Sequence, residues 1–135
     1  MSNQDKPKYF SVFEKVLLAY INGQNVSFEF VLRQMAEKKM SKNYISYATK
    51  LLAMIDPRFP IWDSFVKKHT GIKFSTACRT DIHQCCEQYK KLICFMKENS
   101  NSKNISDYFE RVFGSEIAGQ IHLQKKIDFC IWWNR

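Results

Sequence analysis

Glycine is scarce: four stand in 135 residues, scattered singly at positions 23, 71, 114 and 119. A P-loop or dinucleotide fingerprint needs grouped glycines so that backbone can approach phosphate, so nucleotide-dependent chemistry of that kind is not expected. No apolar run approaches the roughly 20 residues of a membrane span. Alternation of apolar and polar residues never lasts more than a few positions, which removes a half-buried sheet, and there is no internal repeat or low-complexity segment. Acidic residues are also few. Thirteen Asp and Glu face 21 Lys and Arg, for a net charge of +8 and a pI near 9.3. That imbalance favours a polyanionic partner such as DNA, although charge also serves plain solubility. The opening MSNQDKPKYF has no apolar core of a secretory leader. The five cysteines, Cys78, Cys85, Cys86, Cys94 and Cys130, are an odd number, so the expectation is reduced thiols in a cytoplasmic protein.

What is present suffices for one core. Hydrophobic residues make up 45% and aromatics 15%, eleven of them Phe, and 135 residues split in two would leave each half short of apolar surface. The expected organisation is a flexible N-terminus over residues 1–8 and a single domain over 9–135. Helical spacing of Phe10, Phe13, Val16, Leu17, Tyr20 and Ile21 predicts a first helix ending at Asn22-Gly23. Ser27 caps a second, carrying Phe28, Phe30, Val31, Leu32 and Met35, and Ser41 is expected to cap a third that runs from Tyr44 to Met54 or Ile55, ahead of Pro57. A short helix follows from Asp63 or Ser64 to Gly71. Residues 72–79 read as loop, and Thr80 opens the longest helix, with Ile82, Cys85, Cys86, Tyr89, Leu92, Ile93, Phe95 and Met96 on its apolar stripe. Asn104 with Asp107 resembles a capping box for a helix closed by Gly114, and IHLQKKIDFCIWWNR completes an all-α chain of five to seven helices.

Several constellations invite a chemical reading. His83, Cys85 and Cys86 are close in sequence, but only His83 and Cys86 share a helix face and no second pair stands at finger-like spacing, so they read as core-stripe residues and no metal or cofactor is expected. A cysteine nucleophile would need His69, His83 or His122 brought to it by folding, and no local signature marks one. Lysines fall in pairs. Lys90-Lys91 and Lys125-Lys126 read as solvated helix faces. Lys38-Lys39 and Lys67-Lys68 flank the third helix and the segment after it, where with Lys42 and Arg58 they would make one basic surface for phosphate. Adjacent Trp132 and Trp133 point about 100° apart, which assigns one to the core and one to the surface.

The segment MIDPRFPIWDSFVKK, residues 54–68, is the densest in unusual residues. Asp63 in it is a good helix cap, satisfying backbone amides and the helix dipole. The order of elements goes further: a helix, the basic turn KKMSKN, a helix ending in Ile-Asp-Pro, then Phe-Pro-Ile-Trp-Asp at the mouth of another helix. Over about Phe28 to Gly71 that order resembles the helix-hairpin-helix DNA glycosylases, including the 8-oxoguanine glycosylase branch. The resemblance implies a glycosylase-like fold, a hairpin that binds DNA phosphate, and excision of a damaged or modified base. Asp63 would then stabilise charge at C1′ of the flipped nucleotide or activate the attacking water or amine. Bifunctional members also carry a lysine nucleophile, for which Lys42 is the nearest match by spacing and Lys50 the other candidate, while a loop alignment puts Ile45 at that position. The family's hairpin turn uses glycine, and KKMSKN has none. The alternative expectation is a catalytically silent helical module that binds nucleic acid or a protein, with Asp63 as a cap alone.

Overall fold

The computed structural model describes residues 1–74, 81–99 and 102–133. Among them are eight helices and no strand: α1 (Asp5–Ile21), α2 (Phe28–Glu37), α3 (Ile45–Ile55), α4 (Ser64–Thr70), α5 (Ile82–Asn99), α6 (Ser102–Phe113), α7 (Ser115–Gln120) and α8 (Leu123–Trp133). The all-α reading holds, with more helices than the five to seven expected. The extra one is the six-residue α7, which starts just after Gly114 and carries no periodic stripe long enough to register in a sequence.

One core joins α1, α2, α3 and α5. Val12 and Val16 of α1, Val31, Leu32 and Met35 of α2, Ile45, Leu51 and Leu52 of α3, and Cys85, Leu92 and Met96 of α5 are all essentially without exposed surface. With buried Ala48 and Tyr89 filling the gaps in α3 and α5, these residues follow the helical repeat, which puts each set on one face of its helix. A smaller cluster lies where α6 meets α7 and α8. There Phe109 is buried, with the Phe113 and Phe129 rings each 5.5 Å from its own.

The first helix differs from expectation at both its start and its face. Residues 5–8, expected to be frayed, are helical, and Asp5 is buried. Of the apolar residues that marked this helix, Val16 is buried and Phe13 half-buried, while Phe10, Leu17, Tyr20 and Ile21 stay exposed. The face that packs is the one with the small side chains Val12, Val16 and Ala19, because the smaller residues let α2 and α3 approach closely.

The caps divide into local and tertiary ones. Ser27 accepts from the Phe30 amide at 3.1 Å, as its position predicts. Ser41 does not cap α3. That helix begins after Tyr44 with no side-chain cap, and the Ser41 hydroxyl turns instead to Asp5. Asn104 falls inside α6 rather than at its mouth. The helix opening expected at Thr80, most of the loop expected over residues 72–79 and the side chains of Trp132 and Trp133 lie outside what the structure describes.

Candidate functional site: the Asp63 connector and the basic turn

Two turns bracket α3, and they are built differently. The first, Lys38 to Tyr44, closes α2 with a Schellman motif: the Lys39 amide donates to the Ala36 carbonyl at 2.9 Å and the Met40 amide to the Met35 carbonyl at 3.2 Å. Such a motif needs one left-handed residue, usually glycine. Here Lys39 takes it, at φ 53°, and buried Met40 and Met35 supply the apolar contact that accompanies the motif. A glycine-free hairpin therefore still makes the turn. The remaining backbone is fixed from α1. The Ser41 amide donates to the Asp5 carboxylate at 3.2 and 3.3 Å, the Ser41 hydroxyl donates to the same group, and the Tyr44 hydroxyl donates at 2.8 Å. Lys8 stands 3.6 Å from that carboxylate and donates to the Lys39 carbonyl at 2.9 Å. The Ser41 hydrogen bond, ahead of the opposing effect of burial, holds the Asp5 carboxyl well below the usual carboxylate range.

The second turn is the connector from Asp56 to Asp63. Asp56 accepts from the Arg58 backbone amide at 2.9 Å and from its guanidinium at 2.6 Å, a local Asx turn that keeps Arg58 beside its own carboxylate. The middle of the connector is held from three directions. Lys125 of α8 donates to the Phe59 carbonyl at 3.3 Å, and the Tyr89 hydroxyl of α5 donates to the Pro60 carbonyl at 2.9 Å. The Thr49 hydroxyl of α3 accepts from the Trp62 amide at 3.1 Å. Burial raises the Asp128 carboxyl above its ordinary value, opposed by Lys125 at 3.0 Å and by a hydrogen bond from the Ile61 amide. Lys125 and Lys126, expected on a solvated face, are correspondingly half-buried and buried, with Lys126 Nζ 5.9 Å from the Phe109 ring. The indole of Trp62 donates to the Ile72 carbonyl at 3.1 Å and lies against Phe74, which ties together the segments before and after α4.

Asp63 is delivered by this scaffold to the first turn of α4. It caps the helix through one oxygen: Oδ1 accepts from the Phe65 and Val66 amides, both at 3.0 Å. The other oxygen has no hydrogen bond among the described residues, and the side chain is half-buried. Gly71 closes the helix in the left-handed conformation at φ 70°, as expected of a glycine there.

The basic residues are not gathered at one point. Lys38, Lys39 and Lys42 share the first turn and are exposed. Arg58 lies past the opposite end of α3, about 16 Å along the helix axis, already paired with Asp56. Lys67 and Lys68 are exposed in the last turn of α4, one turn beyond Asp63. Lys50 is exposed in mid-helix with its Nζ 6.0 Å from the Tyr47 ring. It follows Thr49, whose hydroxyl meets the connector, so its Cα is turned about 100° round the helix from that contact. Ile45, one turn before Thr49 on the same face, is 1% exposed. Sequence reading missed Asp5, Thr49, Tyr89, Lys125 and Asp128 as parts of this assembly. Only Thr49 gave a signal, as a polar residue four positions from Ile45 on an otherwise apolar stripe.

The fold and site define an all-α protein with a carboxylate at a helix mouth, a basic turn at the far end of α3 and two exposed lysines in the helix that the carboxylate caps. Compared with family models, curated proteins and solved structures, the chain shows no match. No helix among the described residues is long and apolar enough to cross a membrane.

Proposed function

We propose that the chain is a DNA-binding protein of the helix-hairpin-helix glycosylase kind that takes a damaged or modified base out of the stack and releases it, with Asp63 as the acting carboxylate. The observation that supports this reading is the division of labour within Asp63. One oxygen carries both capping bonds and fixes the carboxylate's direction, and the other has no hydrogen bond among the described residues and is left to face a substrate. In this reading water attacks C1′, the glycosidic bond breaks, and the base leaves with the bonding pair and takes up, in the net reaction, the proton that the water gives up, while Asp63 offsets the positive charge that develops on the sugar. Water rather than an amine is the nucleophile, because buried Ile45 stands where the family's lysine would and neither Lys42 nor Lys50 is held against the connector. The exposed lysines of the first turn and of α4 supply phosphate contacts.

Asp63→Asn keeps the cap and removes the charge. On a panel of lesion-containing duplexes it should abolish base release while leaving DNA affinity near wild type; undiminished release removes Asp63 from the mechanism. Borohydride should trap no covalent DNA adduct, and an adduct lost in Lys42→Gln or Lys50→Gln would restore an amine nucleophile.

One observation favours a second reading, a catalytically silent helical module that binds nucleic acid or a protein. The Ser41 amide, which a phosphate-binding hairpin would present to DNA, is spent on Asp5. Absence of base release from every lesion together with an affinity that falls steeply with salt would select nucleic-acid binding alone. A flat salt response would select a protein partner.

A further inference from the structure

A separate cleft of about 330 Å³ opens between the start of α2, the connector and α5. Buried Phe28 and Tyr89, stacked with ring centroids 4.3 Å apart, make its floor. Half-buried Phe59 and Ile93 line it together with the half-buried Cys86 thiol, which burial keeps protonated. Exposed Glu29, His83, Glu87 and Lys90 stand at its rim. The rim charges are balanced. Glu29 is paired with Arg33 at 2.7 Å and Glu87 with Lys90 at 3.2 Å, so in a chain of net charge +8 this cleft is locally close to neutral.

We infer that the cleft is a binding site for one flat, uncharged nitrogen heterocycle of nucleobase size. Its volume is at the low end of the roughly 300–1,000 Å³ of small-molecule sites, which suits one or two fused rings. Half-buried Phe59 at the wall, above the buried Phe28–Tyr89 stack, can meet the face of such a ring and is largely indifferent to which ring it is. The rim carries donors on Lys90 and His83 and acceptors on Glu29 and Glu87, which suit a ring whose edge carries both. Because Glu29 and Glu87 are each balanced by an ion pair, neither an anion nor a cation finds an unmatched charge at the rim, and an aliphatic ligand would leave the polar rim unused. The inference stands on the cleft alone and does not depend on Asp63 acting on DNA.

Cys86 inside the cleft and exposed Cys94 outside it on the same helix give an internal control. The full chain is treated with iodoacetamide in the presence of adenine or cytosine, and alkylation of each thiol is followed by peptide mass mapping. At ten times its Kd, a base seated over the thiol should slow Cys86 alkylation about tenfold, by the occupancy relation, with Cys94 unchanged. Ile93→Trp, which fills the cleft, should itself slow Cys86 and remove the effect of added base. Phe59→Ala should weaken protection while the fold, followed by circular dichroism, persists. Failure of both bases to protect Cys86 at their solubility limits would overturn the inference, as would equal protection by cyclohexanol or pyrophosphate. Because no DNA is present, the outcome is distinct from that of the base-release assay.

Discussion

Asp5 and Asp63 are both aspartates beside a turn next to α3, and they are used in opposite ways. Asp5 is 1% exposed and accepts from a backbone amide and two hydroxyls, all belonging to a turn 36 to 39 residues away. Asp63 accepts two amides of its own helix on one oxygen and stays half-buried. A carboxylate whose acceptor sites are taken by distant donors has become part of the framework. One that is oriented by its own helix keeps a second oxygen without a hydrogen bond among the described residues. The contrast also separates the two turns: the basic turn is sealed by α1, and the connector is held by its carbonyls and amides so that the residue at its end is left available.

The sharpest way to break the comparison is Asp5→Ala. It leaves the Ser41 amide and hydroxyl and the Tyr44 hydroxyl without their acceptor and should give the largest fall in melting temperature of any change named here. Its pH signature has a definite sign. The folded-state value of Asp5 lies below the ordinary 3.8, so its contribution is complete above that value and is lost as pH falls towards the folded value. Chemical denaturation of wild type and Asp5→Asn should therefore differ most above pH 4 and converge in acid; a constant difference would place the effect elsewhere.

Next come the clasps of the connector. Tyr89→Phe leaves the buried Pro60 carbonyl without a donor, and Thr49→Val leaves the Trp62 amide without an acceptor. Each should cost about 1–3 kcal/mol in urea unfolding. If either also changes base release more than stability explains, the clasps position Asp63 as well as support the fold. Asp63→Ala should cost about 1 kcal/mol as a lost cap, and Asp63→Asn no more than about 0.5 kcal/mol. Equal losses for Asp63→Ala and Asp5→Ala would erase the distinction drawn between them.

Lys39→Gly relieves a left-handed side chain and should raise stability by about 1 kcal/mol. The same change tests whether a glycine turn alters salt-dependent DNA affinity. Arg58→Ala, at an exposed pair, should leave the melting temperature unchanged.

What could be read from the sequence was what is settled locally. Ser27, Asp63 and Gly71 act within four residues of themselves, and each was legible as a cap or stop. The stripes of α2, α3 and α5 were legible because one face of each is consistently apolar. The rest turned on partners far along the chain. Ser41 has the position of a cap, but Asp5 offers its hydroxyl and amide a charged acceptor, and that wins over a neutral capping bond. Apolar residues run all round α1, so periodicity could not choose its buried face. Lys125 and Lys126 look like a solvated pair until α8 meets the connector and α6, where the lysine stems are covered and the ammonium groups find a carbonyl, a carboxylate and a ring. The spare oxygen of Asp63 was not legible at all, since it depends on which amides the cap reaches.

The hydrogen bond from Lys125 to the Phe59 carbonyl spans 66 residues, and it carries a consequence for assembly. A ribosome makes α1 to α5 before α8 exists, but the single domain folds as a unit. The basic turn draws its clasp from Asp5, near the start of the chain. The connector draws one of its clasps from α8, the last helix. Of the two turns, the one bearing Asp63 is thus the one that depends on α8, and loss of the Lys125 clasp should loosen it more than the basic turn.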